Sequence, residues 1–149
     1  MSMTATTAHD PSPFLGTAAG QALLTRLRQS TDGRTGDQLS TAIRAVTTAG
    51  STLPVAEVDA ALAAITLLLA DFQPALLDGA ADEPALRSWL RQVDTELTPG
   101  RRMAAEAALT RVEIDLDNQW YDAHLAAGTV RPALDEVHRL RNALADAAG

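Results

Sequence analysis

Residues 112–124, VEIDLDNQWYDAH, form the densest collection of potentially reactive side chains in this sequence. Four acids, one of the two tryptophans, the single tyrosine and one of the three histidines fall within it. Asp115 and Asp117 stand at the first and third positions of an EF-hand calcium loop, a pattern that would hold a metal ion. Position six of such a loop needs glycine and is Trp120 here, and no glutamate stands at position twelve. The spacing therefore favours a structural role over calcium binding.

The same stretch is typical of a helix that packs against a core. Trp120 and His124 are four residues apart and share one helical face, as do Asp117 and Tyr121. Asp117 is the predicted N-cap, because an aspartate oxygen can accept a hydrogen bond from a backbone N–H of the first turn. We expect Trp120 to anchor the C-terminal helices, with its indole N–H bonded to a backbone carbonyl or to an acid.

A second group, Asp135 and His138 in LDEVH, has the carboxylate-x-x-histidine spacing of di-iron bundles. Such bundles need two of these pairs and further carboxylates from the remaining helices, whereas this chain has one pair. Asp135 also has a predicted ion-pair partner in Arg139, four residues on. The alternative that stays open is a small metal-dependent enzyme whose site residues, Asp117, His124, Asp135 and His138, come from the C-terminal helices.

A candidate interaction surface contains Arg87, Trp89 and Arg91, because tryptophan and arginine are enriched at the centres of protein interfaces. Trp120 and Tyr121 are also assigned to this candidate interaction surface. The competing interpretation is that the tryptophans cover the edge of the core while the arginines face water. No serine lies in a Gly-x-Ser-x-Gly elbow and no glycine-rich loop carries the lysine of a P-loop, so we predict no catalytic, metal or cofactor-binding residues.

Composition excludes several classes of function. The chain has 149 residues, no cysteine and a formal charge of -7, and all twelve of its basic residues are arginine, a bias that favours a bacterial origin. Without cysteine there is no disulfide, thiolate metal site or cysteine nucleophile. The acidic balance argues against nucleic acid and against an anionic membrane surface as partners. The N-terminus has no basic and apolar signal segment, and the longest apolar run is too short to span a bilayer, so we expect a cytoplasmic protein.

The hydrophobic pattern is helical nearly throughout and predicts an all-α fold, a compact orthogonal or up-down bundle of six to seven helices without strands. Aromatics make up only 3% of the chain, so alanine, leucine and valine must build the core. Residues 1–12 are predicted to be a disordered tail and 13–149 a single helical domain. The third helix is apolar on every side beyond Ala60 and is therefore expected to be the most buried. The predicted helices run over residues 15–29, 37–49, 55–72, 84–97, 99–116, 117–127 and 129–145.

The order of segments from Val55 to Leu144 resembles a family of small bacterial all-helical proteins of unknown function. The stretches that carry the resemblance are AEVDAALAAITLLLA, EPALRSWLRQ, GRRMAAEAALTRVEID, NQWYDAH and RPALDEVHRLRNAL. Members typically begin with a Trp-Gly…Phe-Asp-Asn-Asp motif. Here PSPFLGTAAG keeps Phe14 but has Leu15, Gly16 and Thr17 where acids are expected. The resemblance brings no known catalytic residues.

These observations predict a protein that acts by binding. The first hypothesis is a non-enzymatic protein-interaction module, an immunity- or antitoxin-like protein whose partner is a basic toxin. The second is the metal-dependent enzyme described above. The third is a self-associating structural protein, in which the leucine-rich third helix or the last helix pairs with a second copy.

Overall fold

The computed structural model describes residues 13–30, 34–50, 52–80, 82–115 and 117–148. The predicted tail, residues 1–12, and the predicted core position Leu116 lie outside the described residues. These described ranges contain seven α-helices and two short 3-10 helices, Pro13–Gly16 and Pro74–Leu77. The α-helices are α1 (Ala18–Gln29), α2 (Thr35–Thr48), α3 (Val55–Leu69), α4 (Glu83–Leu90), α5 (Pro99–Ile114), α6 (Gln119–Ala127) and α7 (Val130–Ala148). The predicted all-α bundle is confirmed. None of the described helices combines the length and apolar character that crossing a bilayer requires.

Helix α3 forms the centre of the fold, as its all-round apolar sequence predicts. Every residue from Ala61 to Ala70 is buried, and α1, α2, α5, α6 and α7 pack around the helix. Thr66 is tolerated in this apolar environment because its hydroxyl donates to the carbonyl of Leu62 at 2.8 Å. Since α3 is already covered by its neighbours, it does not present the exposed apolar face on which the predicted self-association through this helix depends.

Helix α4 is shorter than predicted. It ends at Leu90, so Val93 and Leu97 do not continue its apolar stripe as helical residues. A side chain competes with the helix here, because the carboxylate of Asp94 accepts the backbone N–H of Glu96 at 3.1 Å. Arg101 then donates to the carbonyl of Glu96 at 2.7 Å and holds this connection against the start of α5.

Helix α5 begins as predicted, with Thr98 as N-cap accepting the backbone N–H of Arg101 and with Pro99 at its first position. Its inner face is buried against the bundle through Ala105, Ala108, Leu109 and Val112. Along α7, Val137, Leu140 and Leu144 are buried as expected.

Arg111 joins α5 to the C-terminal end of α2. Its guanidinium donates to the carbonyls of Val46 at 2.7 Å, Ala49 at 2.8 Å and Gly50 at 2.6 Å, and it pairs with Asp115 at 2.9 Å. The last carbonyls of a helix have no partner within the helix and carry its negative dipole end. One side chain therefore satisfies a carbonyl in the last turn of α2, that of its C-cap Ala49 and that of Gly50 just beyond, and fixes α5 relative to α2.

Candidate functional site

The stretch from residue 112 to 124 forms a wall of the bundle, as its spacing predicts, although the predicted cap is wrong. Asn118 is the N-cap of α6; its side-chain oxygen accepts the N–H of Tyr121 at 2.9 Å. The amide of the same buried side chain donates to the carbonyl of Val112 at 2.9 Å. Leu53 pairs with Asn118 in an isolated parallel bridge, in which the Leu53 N–H donates to the Asp117 carbonyl at 3.0 Å and the Gln119 N–H donates to the Leu53 carbonyl at 2.9 Å. Asp117 is not the cap, because the Gln119 N–H that it would bond is already taken by Leu53.

Trp120 is an anchor of the core, as predicted. Its side chain is only 1% exposed and its indole N–H donates to Oδ1 of Asp59 at 3.0 Å, so the expected acid partner comes from α3. This burial removes Trp120 from the predicted interaction surface. Tyr121 is half-buried and packs against the core.

Asp59 and His124 form a polar cluster with Trp120. Burial raises the pKa of the Asp59 carboxyl above its ordinary value of 3.8, while the Trp120 hydrogen bond and the nearby His124 act in the opposite direction. The His124 ring meets the Trp120 ring edge-on with centroids 4.6 Å apart, so the predicted shared face is confirmed. His124 Nδ1 lies 2.7 Å from the hydroxyl of Thr129, which fixes the ring's orientation.

This cluster opens into a groove of about 560 Å³ between the first 3-10 helix, α3, α6 and α7. Volumes of about 300–1,000 Å³ are typical of small-molecule sites. Apolar side chains form much of its wall, and polar groups line the rest. The lining residues are Pro13, Phe14, Thr17, Asp59, His124, Thr129, Pro132, Ala133, Asp135 and Glu136.

The structure brings together only two of the four residues predicted for a metal-dependent enzyme. His124 and Asp135 line the groove, whereas Asp117 is exposed before α6. His138 lies 3.7 Å from Glu113 of α5. Within the described ranges, no three histidine or carboxylate side chains are placed to share a metal ion.

The ion pair predicted between Asp135 and Arg139 is wrong. Arg139 contacts Glu136 instead, at 3.4 Å and three residues away on α7. Asp135 is exposed at the rim of the groove.

The predicted surface on α4 is partly committed to the fold. Arg87 pairs with Asp78 at 2.7 Å and with Glu83 at 3.0 Å, which ties α4 to the preceding turn. Trp89 is half-buried against the core and Arg91 is exposed. A role for Arg87, Trp89 and Arg91 in binding stays a prediction.

A further candidate surface, absent from the sequence-based predictions, is the outer face of α5. Met103 and Ile114 are 67% and 68% exposed, and Ala107 and Thr110 lie between them, also exposed. These four residues are hereafter the outer stripe. Successive helical residues are rotated by about 100°, so the spacings of four, three and four place all four side chains in nearly one direction. The sequence does contain a signal for this surface. Helix α5 has apolar residues on two opposite faces, and the bundle can cover only one of them.

Comparisons of the chain with protein-family models, with curated proteins and with solved structures found no match. The family resemblance carried by the helical segments stays a prediction.

Proposed function

We propose that this protein acts by binding another protein through the outer stripe of α5, and that the partner is a second copy of the chain. The observation that supports this proposal is the exposure of Met103 and Ile114 on one continuous helical face. Exposed apolar area of this kind is stabilised when a second apolar surface covers it.

A second copy fits because the outer stripe is symmetric about its midpoint. Met103 and Ile114 lie equally far from the point between Ala108 and Leu109, and so do Ala107 and Thr110. A two-fold axis at that point makes the two α5 helices antiparallel. It places Met103 of one copy against Ile114 of the other, and Ala107 against Thr110, which is the self-complementary contact that such an axis requires.

The charges beside the stripe are also complementary under this axis. Arg102, Glu106 and Glu113 lie on one flank of α5, and Arg141 of α7 joins them by donating to Glu113 at 2.9 Å and to Thr110 at 3.2 Å. Reversing the direction of the second helix brings Arg102 opposite Glu113 and Glu106 opposite Arg141. Opposite charges therefore meet at both ends of this flank, which favours this orientation over a parallel one.

Sedimentation of the intact chain tests the proposal. We expect a species of twice the 15.7 kDa mass of one chain. Ile114→Glu should yield a monomer, because two-fold symmetry buries two introduced carboxylates in an apolar contact. Leu125→Glu is the matched control, since Leu125 is 61% exposed on α6, away from the stripe, and this variant should remain dimeric. A wild-type chain that stays monomeric, or a Leu125→Glu variant that dissociates as completely as Ile114→Glu, would overturn the proposal.

Cross-linking tests the orientation. The chain contains no cysteine, so single introduced cysteines report contacts without interference. When Ala107→Cys and Thr110→Cys variants are mixed and oxidised, antiparallel pairing should give mainly the disulfide between the two different variants. Preferential self-linking of each variant would instead indicate parallel helices and contradict the proposed axis.

A further inference from the structure

Three carboxylates and one histidine, His124, line the groove beside Asp59. Asp59, Asp135 and Glu136 all line it. Among the described residues, Glu136 is the only one of these three that pairs with an arginine, Arg139 at 3.4 Å. The groove is therefore suited to a positively charged ligand and repels anions.

Asp59 is positioned to receive such a ligand. Its Oδ1 is occupied by the Trp120 indole N–H, which holds the carboxylate in a fixed orientation. No donor in the described part of the chain is bonded to its other oxygen. A half-buried carboxylate in this position gains a charge-assisted hydrogen bond when a cation enters, and such bonds are roughly twice as strong as neutral ones.

The walls define the rest of the ligand. Pro13, Phe14, Pro132 and Ala133 provide apolar surface around the carboxylates. A hydrated metal ion would leave this surface uncovered, whereas an organic cation with an apolar body would bury it.

We propose that this groove is a binding site for a small organic amine, in which the ammonium group donates to Asp59 and an aromatic or aliphatic body packs against Phe14 and Pro132. Asp135 at the rim adds electrostatic attraction. The site is separate from the outer stripe of α5, so the two proposals stand or fail independently.

The test uses 2-phenylethylamine as the probe and 2-phenylethanol as its neutral counterpart, followed by two-dimensional NMR of the ¹⁵N-labelled chain. The cross-peak of the Trp120 indole N–H reports directly on Asp59, because the two groups are hydrogen-bonded. We expect saturable movement of this cross-peak with the amine. Binding of the alcohol should be about tenfold weaker or more, because it cannot form the ionic hydrogen bond.

Asp59→Asn separates this proposal from a loss of folding. Asparagine keeps an oxygen that can accept the Trp120 N–H, so the variant should retain a native spectrum while losing the preference for the amine. Asp122→Asn removes an exposed carboxylate of α6 outside the groove and should bind like the wild type. Equal binding of amine and alcohol by the wild type, or an unchanged amine preference in Asp59→Asn, would overturn the proposal, as would the absence of any saturable shift.

Discussion

Replacement of Arg111 by methionine should destabilise the fold more than the loss of an ordinary surface charge. Methionine keeps much of the apolar stem and removes the guanidinium, so the carbonyls of Val46, Ala49 and Gly50 lose their donor. Each of these three bonds contributes about 1 kcal/mol net. The expected loss is therefore about 3 kcal/mol, and the ion pair with Asp115 adds to it. For a chain of this size, such a loss lowers the melting temperature by roughly 10 °C.

Urea unfolding followed by circular dichroism at a single protein concentration measures this loss. Arg102→Met is the matched control, because Arg102 lies on the same helix and makes one exposed ion pair, to Glu106 at 3.2 Å. Pairs of that kind contribute about 0–1 kcal/mol. Arg111→Lys should lie between the two methionine variants, since an ammonium group lacks the planar fork that reaches several carbonyls at once. If Arg111→Met and Arg102→Met were equally stable, Arg111 would not be the tie between α5 and α2 that its hydrogen bonds indicate.

Three further perturbations test other parts of the fold. In thermal melts, Gly20→Ala should destabilise the fold by about 1–3 kcal/mol, because the added Cβ meets the backbone carbonyl of Phe14. Gly16→Ala should be far milder, because a Cβ added at that position meets no atom nearby. Asn118→Ala should cost about 2 kcal/mol in urea unfolding, since it removes both a helix cap and a buried amide bond. Burial raises the pKa of Asp59, so its carboxyl binds a proton more tightly in the folded state than in the unfolded state. The protonated carboxyl therefore favours folding. This contribution to stability is complete below pH 3.8 and is lost as the pH rises through the raised pKa. The stability of Asp59→Asn relative to wild type should consequently increase as the pH rises from below 3.8 through the raised pKa of Asp59, and a decrease would contradict the burial of this carboxyl.

Features fixed by local sequence were predictable. The all-round apolar character of α3 predicts its central position, and the Thr98–Pro99 pair predicts the start of α5. The chemistry of an indole predicts that Trp120 needs an acceptor once buried. Each of these inferences uses residues within one or two helical turns of one another.

Features that depend on distant parts of the chain were not predictable. Asp117 has the chemistry of an N-cap, but the Gln119 N–H that it would bond donates to the carbonyl of Leu53, far away in the sequence, and Asn118 caps α6 instead. Asp59 is 61 residues from Trp120, so no periodicity joins them. The groove that Asp59 lines exists only once the first 3-10 helix, α3, α6 and α7 pack together.

The packing of α5 within the bundle does not account for its outer stripe. The inner positions, Ala105, Ala108, Leu109 and Val112, already account for the packing of this helix in the bundle. Among its outer positions, Met103, Ala107 and Ile114 are apolar and exposed, whereas Thr110 accepts a hydrogen bond from Arg141 of α7. A soluble helix normally places polar residues there, because exposed apolar surface does not stabilise a monomer. The dimer proposed above would cover these exposed apolar side chains, because the same stripe of a second copy would pack against them.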